Sequence, residues 1–148
     1  MERLMREDLQ APRSPSSARK LKVYVAGRYE DQADLRQFAL DLEREMGWLV
    51  ISSWLWSPAT RADIDQDEVL AAETARACLT EIRHCDMVIL DTGTPTQTGG
   101  REFEAGFAHA LGKIVVCRGP ARNIFHTLLP EVHLGQDAEA AAHPTDGA

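Results

Sequence analysis

Apolar residues along this chain fall into two rhythms, short continuous runs and longer stripes at helical spacing. Leu21-Lys-Val-Tyr-Val-Ala26 is a short apolar run ending at Gly27 and predicts a first strand. Leu35, Phe38, Ala39, Leu42 and Met46 then recur at helical spacing and predict a helix that Gly47 stops. Trp48 to Trp54 is rich in β-branched and aromatic residues and predicts a second strand. A polar, acidic connection follows from Leu55 to Asp67, through Pro58, Asp63 and Asp65, and its length suggests a lid or binding loop. Ala71, Ala75, Cys78, Leu79 and Ile82 mark the next helical stripe, and Asp86-Met-Val-Ile-Leu-Asp91 is the most clearly marked strand. A loop ending at Gly99-Gly100 opens a short helix, and Lys113 to Cys117 predicts a fourth strand. Beyond a turn at Gly119-Pro120 come a short helix near Asn123 to Leu129 and a small edge strand at Val132 to Leu134.

Strands alternating with helices imply parallel pairing and right-handed crossovers. The expected fold is α/β, a three-layer flavodoxin-like or Rossmann-like parallel sheet of four to five strands. Ligands of such sheets bind beyond the carboxyl ends of the strands. Here those ends are Ala26 to Tyr29, Ser53-Trp54, Asp91-Thr92 and Cys117-Arg118. No internal repeat is evident. Residues 1–19, with Pro12, Pro15 and a serine cluster, show no sustained apolar period and are predicted to be a mobile basic arm. Residues 20–135 form the predicted domain, and the alanine-rich polar tail 136–148 is predicted to be disordered.

At 148 residues, 44% hydrophobic and 26% charged, the chain suffices for one domain whose core needs neither disulfides nor metal. Cys78, Cys85 and Cys117 match no paired metal spacing and cannot all be bridged, so a reducing cytoplasm is the expected location. No run approaches the roughly 18 apolar residues of a membrane span, and no signal-peptide hydrophobic region is evident. No membrane partner is expected. The net charge of −7 argues against nucleic acid as a partner, although residues 1–22 carry six basic side chains against three acidic ones.

Candidate chemistry gathers at Thr98-Gly-Gly-Arg-Glu-Phe-Glu104. Two glycines before a helix put unpaired N–H groups and the Glu104 carboxylate at the same helix start, where peptide dipoles favour anions. A carboxylate one turn inside, beside Phe103 and Phe107, suggests a site where an anionic ligand is held while a carboxylate does chemistry. Glu102 is expected to face solvent. The Gly27-Arg28-Tyr29 loop is too short for a dinucleotide fingerprint and no P-loop is present, so no cofactor is expected. Gly27 fits a tight turn or close approach of a ligand equally well. Arg28 and Arg101, at the ligand edge, fit either solvation or contact with a phosphate or carboxylate. Tyr24, mid-strand, reads as a half-buried core tyrosine with a backbone partner. Trp54 and Trp56 fit stacking on a ligand or core packing. His84, His109, His126 and His133 share no metal spacing, and His126 beside Phe125 reads as a packing or capping residue. No metal is expected.

Val23-Tyr-Val-Ala-Gly-Arg-Tyr29, Cys85-Asp-Met-Val-Ile-Leu90, Gly99 to Lys113 and Asn123-Ile-Phe-His126 follow one pattern in order. Across residues 21–134 the chain resembles the nucleoside 2-deoxyribosyltransferase-like superfamily, especially its small phage and bacterial members. That superfamily also contains the 2′-deoxynucleoside 5′-monophosphate N-glycosidases. The resemblance implies an enzyme acting on a small nucleoside or nucleotide without a cofactor, and a homo-oligomer built from dimers. It implies that Glu104 is a nucleophile attacking C1′ of a deoxyribose, with the Tyr24 hydroxyl orienting it. It further implies that Tyr29 lies against the base and that Asn123 matches a residue reaching into a neighbouring subunit's site.

Two positions depart from the family pattern. Cys78 stands where an aspartate commonly hydrogen-bonds or protonates the leaving base, and a thiol of pKa about 8.5 is a weak donor. Loss of a general acid costs about 10²–10⁴ in rate, so a non-catalytic, nucleotide-binding member of the fold is the alternative. Thr98 stands where transferases tend to carry aspartate and monophosphate hydrolases a serine. A hydroxyl beside Gly99, Gly100 and Arg101 suits a phosphate better than a second anion would.

Overall fold

A computed structural model describes residues 19–132. The predicted arm, apart from Arg19, and the predicted tail lie outside the described residues. Four strands, β1 (Lys22–Ala26), β2 (Leu49–Val50), β3 (Met87–Asp91) and β4 (Ile114–Arg118), form one sheet in the order β2-β1-β3-β4. All neighbouring pairs are parallel, with Tyr24 beside Val88 and Leu90 beside Cys117. Every residue of β3, and all of β1 but Lys22, is buried, which is why both runs read as continuous apolar stretches instead of alternating ones.

Among the described residues, four helices complete the three layers: α1 (Gln32–Met46), α2 (Arg61–Gln66), α3 (Glu68–His84) and α4 (Gly100–Ala110). Helix α1 buries Leu35, Phe38, Ala39 and Leu42 against one sheet face. Each of its larger apolar side chains contributes about 1.5–3 kcal/mol by leaving water. Gly47 ends α1 in the left-handed region at φ 69°, donating its N–H to Glu43. Just after β1, Gly27 is tied to this packing, because a Cβ there would lie 2.4 Å from Leu35 Cδ1. Helices α3 and α4 cover the opposite face, the one onto which Tyr24 projects.

Three segments differ from the expectations. The strand predicted over Trp48–Trp54 is only two residues long and turns at Ser53–Trp56 into a 3-10 helix. Backbone pairing stops there because side chains replace it: Ser52 Oγ accepts from the Val25 N–H at 2.6 Å, and Trp54 Nε1 donates to the Val25 carbonyl at 2.8 Å. The long connection over 55–67 contains α2, whose start is a capping box. Thr60 Oγ1 accepts from the Asp63 N–H, and the Asp63 carboxylate accepts from the Thr60 N–H. Asp67 caps α3 by accepting from the Val69 and Leu70 N–H groups. After β4, the predicted helix near Asn123–Leu129 is a 3-10 turn at His126–Leu128. In place of the predicted edge strand there is a single parallel bridge, Cys117 to Glu131, and residues 133 and 134 lie outside the described residues.

Candidate active site

Strand alternation fixes the first element of the site. Tyr24, fully buried, points from β1 toward α3 and α4, and its hydroxyl donates a hydrogen bond to Glu104 Oε2. The partner is a carboxylate, not the backbone group expected for a core tyrosine. Glu104 stands one turn inside α4, half-buried, with its carboxyl deeply enclosed by protein. Burial pushes that carboxyl up to about 7, the Glu81 charge adds to the rise, and the bonds from Tyr24 and Cys78 oppose it. Burial, reinforced by the Glu104 charge, pushes the Cys78 thiol up to about 12 and holds it neutral. The Tyr24 phenol is likewise raised, by burial first and then by Glu104.

Above this pair lies a cleft of about 120 Å³. The turn after β1 supplies Gly27, Arg28 and Tyr29, and the 3-10 turn after β2 supplies Trp54. Cys78 comes from α3, Thr98 from the loop after β3, and Gly100, Arg101 and Glu104 from α4. Tyr29 and Trp54 pack together with ring centroids 5.3 Å apart at 45°. Two arginines brace the loops. Arg28 makes a two-pronged contact with Asp31, at 3.0 and 3.2 Å, and donates to the Pro95 carbonyl. That contact holds the Asp31 carboxyl below its ordinary range. Arg101, buried, donates from Nη1 to the carbonyls of Asp91 and Thr94, at 2.9 and 2.7 Å. Thr98 Oγ1 lies 3.0 Å from Thr96 Oγ1. Among the described residues, no group of three or more His, Cys, Asp and Glu side chains is arranged to hold a metal, and no helix is long and apolar enough to cross a membrane.

A family model described as nucleoside 2-deoxyribosyltransferase matches residues 23–137. The chain belongs to that family. The 2-deoxyribosyltransferase of Bacillus psychrosaccharolyticus superposes with a TM-score of 0.61 at 20% identity, covering 81% of this chain and 90% of that one. A conserved protein from Enterococcus faecalis V583 superposes with a TM-score of 0.54 at 18% identity, covering 84% and 96%. At these identities the likeness is one of fold. The CMP N-glycosidase of Clostridium botulinum, 23% identical over 74% of this chain and 84% of that one, has a TM-score of 0.48. No curated protein sequence matches the chain.

In this member of the deoxyribosyltransferase family, most residues singled out from sequence converge on the one cleft. Gly99 stands just outside it, as the residue before α4, and makes no side-chain cap. Trp54 lines the cleft and is buried, whereas Trp56 is exposed and lines none of it. Asn123 is elsewhere. Its Oδ1 accepts from the N–H groups of Phe125 and His126, and its Nδ2 donates to Glu102 at 3.3 Å. Glu102, expected in solvent, is half-buried because His126 Nε2 lies 2.9 Å from its carboxylate. His126 Nδ1 accepts from the Arg122 N–H, so Nε2 carries the proton given to Glu102. Phe103, beside Glu104 in sequence, is 65% exposed at the rim of a larger apolar groove of about 770 Å³ between α4 and the 3-10 turn after β4. Two cleft residues escaped sequence reasoning, Arg61 and Thr96. For Arg61 the one available signal was the Thr60-x-x-Asp63 box, which marks a helix start where an open loop was expected.

Proposed function

We propose that this chain cleaves or transfers the N-glycosidic bond of a deoxynucleoside 5′-monophosphate or nucleoside, with Glu104 as nucleophile. The observation that carries this reading is the buried Tyr24–Glu104 hydrogen bond beneath the cleft. Family membership supports glycosyl transfer of this general kind. In the reaction, the ionised carboxylate attacks C1′ while the C1′–N bond breaks and its electron pair departs with the base. Tyr24 holds Oε2, which leaves Oε1 for the attack. The departing base takes its proton from solvent, since the Cys78 thiol retains its own near neutrality. Water or a second base then displaces Glu104 from C1′. Thr98, beside the glycines that open α4, favours a nucleotide over a nucleoside, because a hydroxyl accepts an anionic neighbour where a carboxylate would repel it.

Incubation with a panel of deoxynucleosides and their 5′-monophosphates, with chromatography of the free base, tests this. Release by wild type and not by Glu104→Gln is expected. No release by wild type, or equal release by both, would sink the proposal. Running the assay with and without an acceptor base separates hydrolysis from transfer.

Cys78 favours a second reading, a nucleotide-binding member that does not turn its ligand over. A neutral thiol stands where the family pattern carries an aspartate. Thermal stabilisation by a nucleotide without base release would support it, and activity restored by Cys78→Asp would identify the residue whose loss matters.

The apolar groove supports a homo-oligomer. Phe103, Phe125 and Leu128 are each at least 65% exposed along it, and a second copy of the chain is the proposed cover. Sedimentation velocity is expected to show a dimer or a multiple of one, with Phe125→Asp shifting it to monomer. A wild-type monomer at micromolar concentration overturns this.

A further inference from the structure

We infer that Arg61 is the side chain that recognises the 5′-phosphate and thereby sets the preference for nucleotide over nucleoside. The inference rests on the reaction class proposed above. Three arginines line the cleft, and two are committed to the fold. Arg28 clamps Asp31 and the Pro95 carbonyl, and Arg101 carries the Asp91 and Thr94 carbonyls through Nη1, its Nε being buried without a hydrogen-bond partner among the described residues. Arg61 differs in every partner. It contacts Asp65 at 3.0 Å and Glu30 at 3.8 Å, whose side chains are 58% and 51% exposed. Exposed pairs of this kind contribute little and exchange readily for a better anion.

The placement of Arg61 is poorly explained by helix stability. It is the first residue of α2, where a cation opposes the peptide dipoles. Its partner Asp65 lies four residues toward the C-terminus, the less favourable order for such a pair. Contact with Glu30 instead joins α2 to the turn after β1, the two segments that supply Arg61 and Tyr29 to the cleft. A phosphate entering beside Thr96 and Thr98 would take the guanidinium fork from Glu30, exchanging a monodentate contact for a charge-assisted pair.

Calorimetric titration tests this on protein carrying Glu104→Gln, which keeps the ligand intact. A deoxynucleoside 5′-monophosphate and the matching nucleoside are compared with and without Arg61→Ala. Arg61→Ala is expected to weaken the monophosphate roughly tenfold more than the nucleoside, with Arg61→Lys recovering part of the difference. Glu30→Gln, by removing the competing carboxylate, is expected to tighten the monophosphate roughly twofold to fivefold. Equal losses for both ligands, no loss for either, or no preference for the monophosphate before Arg61 is changed would overturn the inference. Absence of base release from otherwise active-site-intact protein sinks the glycosidase reading alone, since binding is measured independently of cleavage.

Discussion

The Tyr24 hydroxyl and the Glu104 carboxylate meet across 80 residues of sequence, one from the floor of the sheet and the other from the first turns of α4. The bond does two things to the carboxylate. It fixes one oxygen in place, and it opposes the rise in proton affinity that burial imposes.

That rise gives the fold a pH dependence. Glu104 goes from 4.5 in an ordinary setting to about 7 in the folded protein, chiefly through burial. A folded value above the unfolded one means that the stabilising contribution is fully present below 4.5 and is lost as pH rises through about 7. The loss is on the order of 3 kcal/mol. Urea midpoints measured from pH 4.5 to 8 should therefore fall more steeply for wild type than for Glu104→Gln. Base release needs the ionised form and should rise over the same range, levelling above pH 7.

Tyr24→Phe removes the hydroxyl while keeping the ring. The Glu104 carboxylate then loses a donor in a buried place, at a cost of about 1–3 kcal/mol to the charged form. The acidic limb of the rate profile should move to higher pH, and kcat/KM at pH 7 should drop roughly tenfold to a hundredfold. An unchanged limb would show that the hydroxyl has no hold on the carboxylate.

Glu81 acts on the cleft without lining it. Its carboxylate accepts from the Ser53 N–H and hydroxyl, at 2.9–3.2 Å, and its charge pushes Glu104 upward. Glu81→Gln should move the acidic limb to lower pH by a fraction of a unit, opposite in sign to Tyr24→Phe. The same variant loosens the turn that carries Trp54, so KM should rise while kcat at high pH stays near wild type. A shift in the same direction as Tyr24→Phe would exclude the charge effect.

Gly27→Ala probes the contact between the turn after β1 and α1. Its methyl would sit 2.4 Å from Leu35 Cδ1, a distance that forces Leu35 to move. Destabilisation of about 1–3 kcal/mol is expected, read as a lower denaturation midpoint. Leu35→Ala in the same chain should recover part of the loss relative to the sum of the two single changes.

How much of this was legible in the sequence depended on whether local signals and tertiary needs agreed. Leu35, Phe38, Ala39 and Leu42, with Gly47 behind them, stated α1 plainly, because the buried stripe and the left-handed cap are both local features. The β3 run did the same. Trp48 to Trp54 misled because Ser52 and Trp54 bond to the Val25 backbone through their side chains where a ladder would have continued. The acidic 55–67 stretch misled in the opposite way, since Asp63 completes the capping box begun by Thr60 and Asp67 is the N-cap of α3. Alternation along β1 put Tyr24 on one face, but only the family resemblance paired it with Glu104. No local pattern could assign Arg61 to the cleft, because that depends on where α2 lies against the turn after β1.

Val25 is held on its β2 side by side chains. Its N–H and carbonyl toward β2 are covered by Ser52 and Trp54 alone, so the cleft's aromatic wall is bolted to the residue next to Tyr24. An engineer wishing to re-shape ligand preference by transplanting the 52–57 segment from a homologue would inherit this attachment. A transplant lacking either side chain would strip a buried backbone group of its partner, at about 1–3 kcal/mol each. The tolerated route runs through substitutions that keep Ser52 and Trp54 and vary what stands above them.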